Sequence, residues 1–248
     1  MKKPIVILSH NDLTTVGKVF GTPLVIKGKT WFPLTEFVVW AVMTWVAGRG
    51  YPQRSLGERL DVGALTTLVI LGSEWCHNLA HAVAAKWVGK PMDALRIAWG
   101  MPLVIYKDVN DETVTPHQHR IRALGGPLFN ALMVPFAYLF KRFTQPDSMA
   151  RDVANAAVGM NIFLCTASLL PIPGIDGGPI LKWSLVERGD TPQEADEKVK
   201  QVNKILSGGL WMAAGIAIKK RSWFIGTILG MFAALALAIG FGLIKEQE

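Results

Sequence analysis

From Trp31 onward the chain alternates long apolar runs with short polar segments, and the run lengths predict membrane-spanning helices. Trp31 to Ala47, with one acidic residue at Glu36, reads as the first. Val62 to Val88, Leu124 to Phe140 and Val153 to Leu170 follow, the first well beyond and the other two close to the roughly 20 residues that a crossing helix needs. Ile205 to Ile218 is shorter and Trp223 to Ile244 ample, so residues 205–244 read as a hairpin of two crossings. Six are expected in all. Ahead of them, residues 1–30 alternate short apolar runs with turn residues, as in Gly17-Lys-Val-Phe-Gly21 and Pro23-Leu-Val-Ile-Lys-Gly28, a pattern for strands at the membrane surface. Residues 91–121, including Met101-Pro-Leu-Val-Ile-Tyr106, read as a hairpin or partly inserted strand. Residues 48–61 read as a loop, and the charged segment 188–204 as lying outside. The predicted fold class is an all-α polytopic membrane protein with small β segments, forming a single membrane domain over residues 1–248.

Composition agrees with this pattern. Half the residues are hydrophobic, 18% are charged and mean hydropathy is +0.30, which argues against a soluble globular domain. A net charge of +7 is compatible with nucleic acid, but the basic residues are scattered among loops between apolar runs. Juxtamembrane charge is the better reading, so the expected partner is the lipid bilayer and not nucleic acid. With six crossings both termini share the side that holds most of the Lys and Arg. The positive-inside tendency then puts both in the cytoplasm, for a multi-pass protein of the cell membrane. Pro4 to Leu8 is too short for a signal-peptide core, so no cleaved signal is expected.

The chemistry-bearing residues sit inside the apolar runs. His77 and His81 are one helical turn apart, about 40° around the axis, and can face one ion. Far downstream, Asp176 follows a break made by Pro171, Pro173 and Gly174, where proline ends the helix. Two imidazoles and a carboxylate at membrane depth form the ligand set of a catalytic zinc site. Histidines at this spacing also suit a polar contact between helices, and Asp176 also suits capping a helix that starts at Gly177.

Taken together, these segments resemble the site-2 protease family of intramembrane zinc metalloproteases, which joins an HExxH helix to a later LDG-type motif. His77-Asn78-Leu79-Ala80-His81 and Ile175-Asp176-Gly177 stand at those places. Gly126-Pro127-Leu-Phe-Asn130 is similar to the family's GPxxN stretch. Asn161 with Leu169-Leu-Pro-Ile-Pro173 is similar to its N-to-LLPxxP run, and Val19 to Ile26 to its N-terminal segment. The likeness covers about residues 17–186. It implies Zn2+ held by His77, His81 and Asp176, and a transmembrane peptide or protein as substrate.

Three positions depart from the family pattern. Ala80 replaces a Gly and Ser168 a second Asn, but Asn78 replaces the Glu that serves as general base. Asn has no basic group near neutral pH, and general-base help is typically worth about 10² to 10⁴ in rate. Very low or no activity is therefore expected, with an inactive pseudoprotease that binds membrane helices as the alternative. Glu74, on the same helical face, is a weaker candidate base. It is better placed to support a histidine. Asn130 suits either substrate or oxyanion contacts or an interhelical hydrogen bond, and Asn161 the latter. His117 and His119, beside Arg120 and Arg122, are expected at the water interface.

Overall fold

The structure, a computed structural model, describes residues 5–6 and 12–245. The expectation for Pro4 to Leu8 therefore falls mostly outside the described residues. The chain is mainly helical with a small sheet, and it divides into two compact units. One unit is formed by His10–Lys107 with Leu124–Ser168, the other by Asp108–Ala123 and Leu169–Glu248 with the N-terminal residues.

In the first unit, strands β2 (Leu13–Val19) and β3 (Thr22–Lys27) lie where strands are expected and pair antiparallel across a turn at Phe20-Gly21. Its register shifts between Thr15 and Gly17. Helix α1 (Leu34–Gly50) and helix α2 (Leu56–Trp87) follow, then β4 (Ala94–Ala98) and β5 (Met101–Ile105). β3 and β4 pair in parallel, and a parallel pair needs a long crossover, which α1 and α2 supply. The sheet runs β2-β3-β4-β5 and lays one face on α2. There Leu24, Leu95 and Val104 pack with Trp75, Leu79 and the fully buried Ala82.

Helix α2 starts before Val62, inside the segment read as a loop. The cause is a capping box: Ser55 Oγ accepts from the Glu58 N–H, and the Ser55 N–H donates to Glu58 Oε2 at 2.8 Å. Helix α3 (Pro116–Arg142) likewise begins well ahead of Leu124. Thr115 Oγ1 accepts from the Gln118 N–H while Gln118 Oε1 accepts from the Thr115 N–H, and Pro116 suits the first helical position. Gly125, Gly126 and Pro127, at the start of the apolar run, therefore lie inside the helix. Helix α4 (Met149–Ala167) is capped by Ser148. Its start is tied to the α1–α2 loop by buried Arg54, which meets Asp152 at 2.5 Å.

In the second unit, α5 (Gly177–Glu187) follows the proline break, then α6 (Pro192–Lys219) and α7 (Trp223–Gly240). Strand β6 (Ile244–Lys245) pairs in parallel with β1 (Ile5–Val6). The charged residues read as an external segment form the first half of α6, started by a Thr191–Glu194 capping box with Pro192 at its head. Ile205 to Ile218 is thus the end of a longer helix. The core of this unit gathers Ile172 from the break with Ala236 and Ile239 from α7.

Among the described residues, two helices are long and apolar enough by themselves to cross a membrane, Pro116–Arg142 and Trp223–Gly240. α1 has 17 residues, short of the usual span. In α2 the polar residues Glu74, His77, Asn78 and His81 dilute an otherwise apolar run, so the side chains that suggest chemistry also weaken its membrane signal.

Candidate metal centre

Helix α2 carries His77 and His81 on its buried side, 5% and 3% exposed. Their rings meet edge to face, with centroids 4.8 Å apart and the two Nε2 atoms 3.1 Å apart. Two nitrogens at about 2.0–2.1 Å from a tetrahedral zinc ion stand about 3.3 Å from each other, so the observed spacing suits the ion with little adjustment.

The hydrogen bonds behind His77 determine which of its nitrogens is available. Asn161 Nδ2 donates to the Ala157 carbonyl at 2.8 Å, and a carbonyl can only accept. Asn161 Oδ1 must then receive the Asn130 Nδ2 donor at 2.8 Å, which turns Asn130 Oδ1 toward His77 Nδ1 at 2.6 Å. His77 Nδ1 therefore bears the proton, and Nε2 keeps the lone pair that a metal ligand needs. Asn130 is fully buried and Asn161 5% exposed, so no bulk water competes. The oxygen and the amide nitrogen of Asn130 are both engaged within the protein. Ser73 Oγ, which accepts from Asn161 Nδ2 at 3.3 Å, extends the chain back to α2. Asn161, expected from the sequence to make an interhelical hydrogen bond, makes one here with Asn130, whereas the only signal of Ser73 in the sequence is a polar group in an apolar run.

Gly126 keeps space above the two rings. A Cβ at this position would stand 2.4 Å from His81 Nε2 and 2.5 Å from His77 Nε2, and the Gly126 N–H lies 3.4 Å from His81 Nδ1. At Gly125 a Cβ would stand 2.7 Å from the Ala80 carbonyl oxygen. The paired glycines thus let α3 cross α2 at the histidine turn. Donor chemistry, spacing and this opening all fit a zinc ion.

Asn78 is 6% exposed and points its amide nitrogen back along its own helix. Nδ2 donates to the Glu74 carbonyl oxygen at 3.0 Å and to Glu74 Oε1 at 3.2 Å. Glu74 thus fixes the orientation of the Asn78 amide.

Asp176 belongs to the other unit. Ile175 donates to the Ile172 carbonyl at 3.0 Å and Gly178 to the Ile175 carbonyl at 2.9 Å, while Gly174 takes the left-handed conformation at φ +84°. Asp176 stands just before α5, but its backbone is already helical and its side chain makes no capping hydrogen bond. The capping alternative is not what this geometry shows. Gly177 and Gly178 are required by close approach, because a Cβ would lie 2.2 Å from the Leu170 carbonyl oxygen at Gly177 and 2.6 Å from that of Ile172 at Gly178.

Of the remaining histidines, His117 is exposed as expected. His119 is not at the water interface. It is buried and stacked on Trp183, with centroids 3.8 Å apart and planes 1° from parallel, because the indole face on α5 offers an apolar surface for its ring.

No family model matches the chain. Two curated proteins, each named "Putative zinc metalloprotease", do. One, from Methanocaldococcus jannaschii, is 26% identical over 139 residues, which cover 48% of this chain and 71% of that protein. The other, from Synechocystis sp., is 28% identical over 175 residues, covering 69% of this chain but only 44% of that protein. Among solved structures, the site-2 protease from Methanocaldococcus jannaschii superposes with a TM-score of 0.52 over 90% of this chain and 94% of that one. Identity there is 12%, so this match shows a shared fold.

Proposed function

From the premise that this chain is a relative of the site-2 proteases, supported by its motifs, its sequence relatives and its fold, we propose that it is a zinc-binding intramembrane metallopeptidase whose hydrolytic step is slowed to very low or no rate by Asn78. His77 holds the ion through its Nε2 atom, and His81 and Asp176 supply the other two ligands. The observation that carries the reading is the Asn161–Asn130–His77 chain, which prepares a buried imidazole as a ligand.

Zinc held there supplies a Lewis acid for a peptide carbonyl and makes water acidic near neutral pH. The rest falls to the chain. A family Glu at position 78 would take the proton and pass it to the leaving amine, whereas Asn78 can only hydrogen-bond. Its amide is also committed to Glu74. That commitment favours a second reading, a pseudoprotease that keeps the metal and binds membrane helices without cutting them. In both readings the chain is a multi-pass protein of the cell membrane with cytoplasmic termini. Its substrate or ligand is a transmembrane segment that unwinds locally to present its backbone.

Asn78→Glu tests this. Reconstituted in vesicles with a transmembrane substrate, the variant is expected to cleave at least about 10²-fold faster than the native chain, in a chelator-sensitive reaction. A variant that binds zinc normally yet cleaves no faster than the native chain would sink the assignment of position 78 as the vacant base.

A further inference from the structure

The proline break before Asp176 leaves a carbonyl in need of a donor. In a continuous helix the Ile175 N–H would serve the Pro171 carbonyl, but here it donates to Ile172, and Pro173 has no N–H to offer. Pro171 is half-buried, and a backbone carbonyl that is even partly withdrawn from water needs a partner. The donor comes from far along the chain: Asn203 Nδ2, on α6, reaches the Pro171 oxygen at 2.7 Å. The same amide donates to the Val199 carbonyl of its own helix at 2.9 Å. Asn203 is fully buried, and so is Ile172, which packs on Ala236 and Ile239 of α7. All of these residues belong to the unit that contains Asp176, and Asn203, Ala236 and Ile239 lie beyond the stretch of motif resemblance.

We propose that Asn203 is a positioning residue for the Asp176 carboxylate, fixing the Pro171–Gly174 break against α6 through the Pro171 carbonyl, with the α6–α7 hairpin serving as the brace of this ligand loop. The inference rests on the zinc-site reading above. An apolar residue at position 203 would fill the space but leave Pro171 unserved, and the loop carrying Asp176 would lose its fixed point only five residues upstream of the carboxylate. A fully buried asparagine on α6 thereby acquires a reason beyond helix stability.

Cobalt substitution separates positioning from folding, because its visible absorption reports the ligand set directly. Asn203→Ser retains a hydroxyl able to bond its own Val199 carbonyl but too short to reach Pro171. Ser207→Ala, which removes a buried hydroxyl bonded to the Lys204 carbonyl of the same helix, is the control. The 248-residue chain in detergent is titrated with Co2+ alongside both variants. Asn203→Ser is expected to bind about 10- to 100-fold more weakly with an altered spectrum, while Ser207→Ala matches the native chain. If Asn203→Ser does not fold, the isosteric Asn203→Asp, which places an acceptor against the Pro171 oxygen, is read in the same way. Native affinity and spectrum in a folded position-203 variant would overturn the inference and leave the zinc-site reading intact. A native chain that binds no cobalt at all would sink that reading, and the inference with it.

Discussion

Replacing Asn130 separates a ligand-orienting role from a mere helix contact. Asn130→Leu fills a similar volume but removes the acceptor 2.6 Å from His77 Nδ1 and the donor 2.8 Å from Asn161 Oδ1. With His77 at 5% exposure, water cannot substitute, and an orphaned buried polar group costs about 1–3 kcal/mol. The imidazole also becomes free to move its proton to Nε2, the atom needed as a ligand. Loss of such an outer partner typically weakens metal binding about 10- to 100-fold, or about 1.4–2.7 kcal/mol. Asn130→Asp behaves differently. Its carboxylate still accepts from His77 Nδ1, so zinc affinity is retained, but it cannot donate to Asn161, so thermal stability falls. Competition with a chelator of known zinc affinity, in detergent, measures both variants. Equal affinity for Asn130→Leu and the native chain, or an equal loss in Asn130→Asp and Asn130→Leu, refutes the reasoning.

Gly126→Ala puts a methyl group against both imidazoles, and overpacking of this kind typically costs about 1–3 kcal/mol. The variant is expected to lose most of its zinc while helix content measured by circular dichroism is unchanged. Gly230→Ala, whose Cβ would meet Trp211 no closer than 3.6 Å, is the control that keeps its metal. At the start of α6, hydrogen bonds from the Thr191 backbone and hydroxyl hold the Glu194 carboxyl below its ordinary pKa. A carboxyl lowered on folding adds stability that is complete above its unfolded pKa and is lost as pH falls through the folded one. Thr191→Ala is therefore expected to lower the melting temperature at neutral pH and to flatten its fall in acid. An acid limb as steep as the native one would contradict the cap. Arg54→Met strands Asp152 at the start of α4 and is expected to lower the melting temperature without changing zinc affinity, since the pair lies away from the histidine turn.

Local patterns in the sequence carry much of this architecture. The apolar runs and turn residues of the first 30 positions announce strands, the alternation after residue 91 announces a hairpin, and His77, His81 and the proline break announce the candidate metal-site residues. Helix starts were harder to place. Ser55, Thr115 and Thr191 each begin a helix by reciprocal capping within a polar stretch, so hydropathy alone puts the boundary too late. Contacts distant in sequence are less legible. Nothing local distinguishes Asn203 from other polar residues of α6, and the stacking of His119 on Trp183 buries a histidine that charge patterning alone would place at the water interface. The direction of the Asn130 amide likewise follows only once Asn161 and the Ala157 carbonyl are seen together.

Zinc content of the purified 248-residue chain tests the central claim most directly. Protein prepared in zinc-replete medium and measured by elemental analysis is expected to carry about one zinc per chain, with His77→Ala and Asp176→Ala each reduced to a small fraction of that. A native chain without bound zinc, or a folded His77→Ala variant that retains the native amount, would contradict the account.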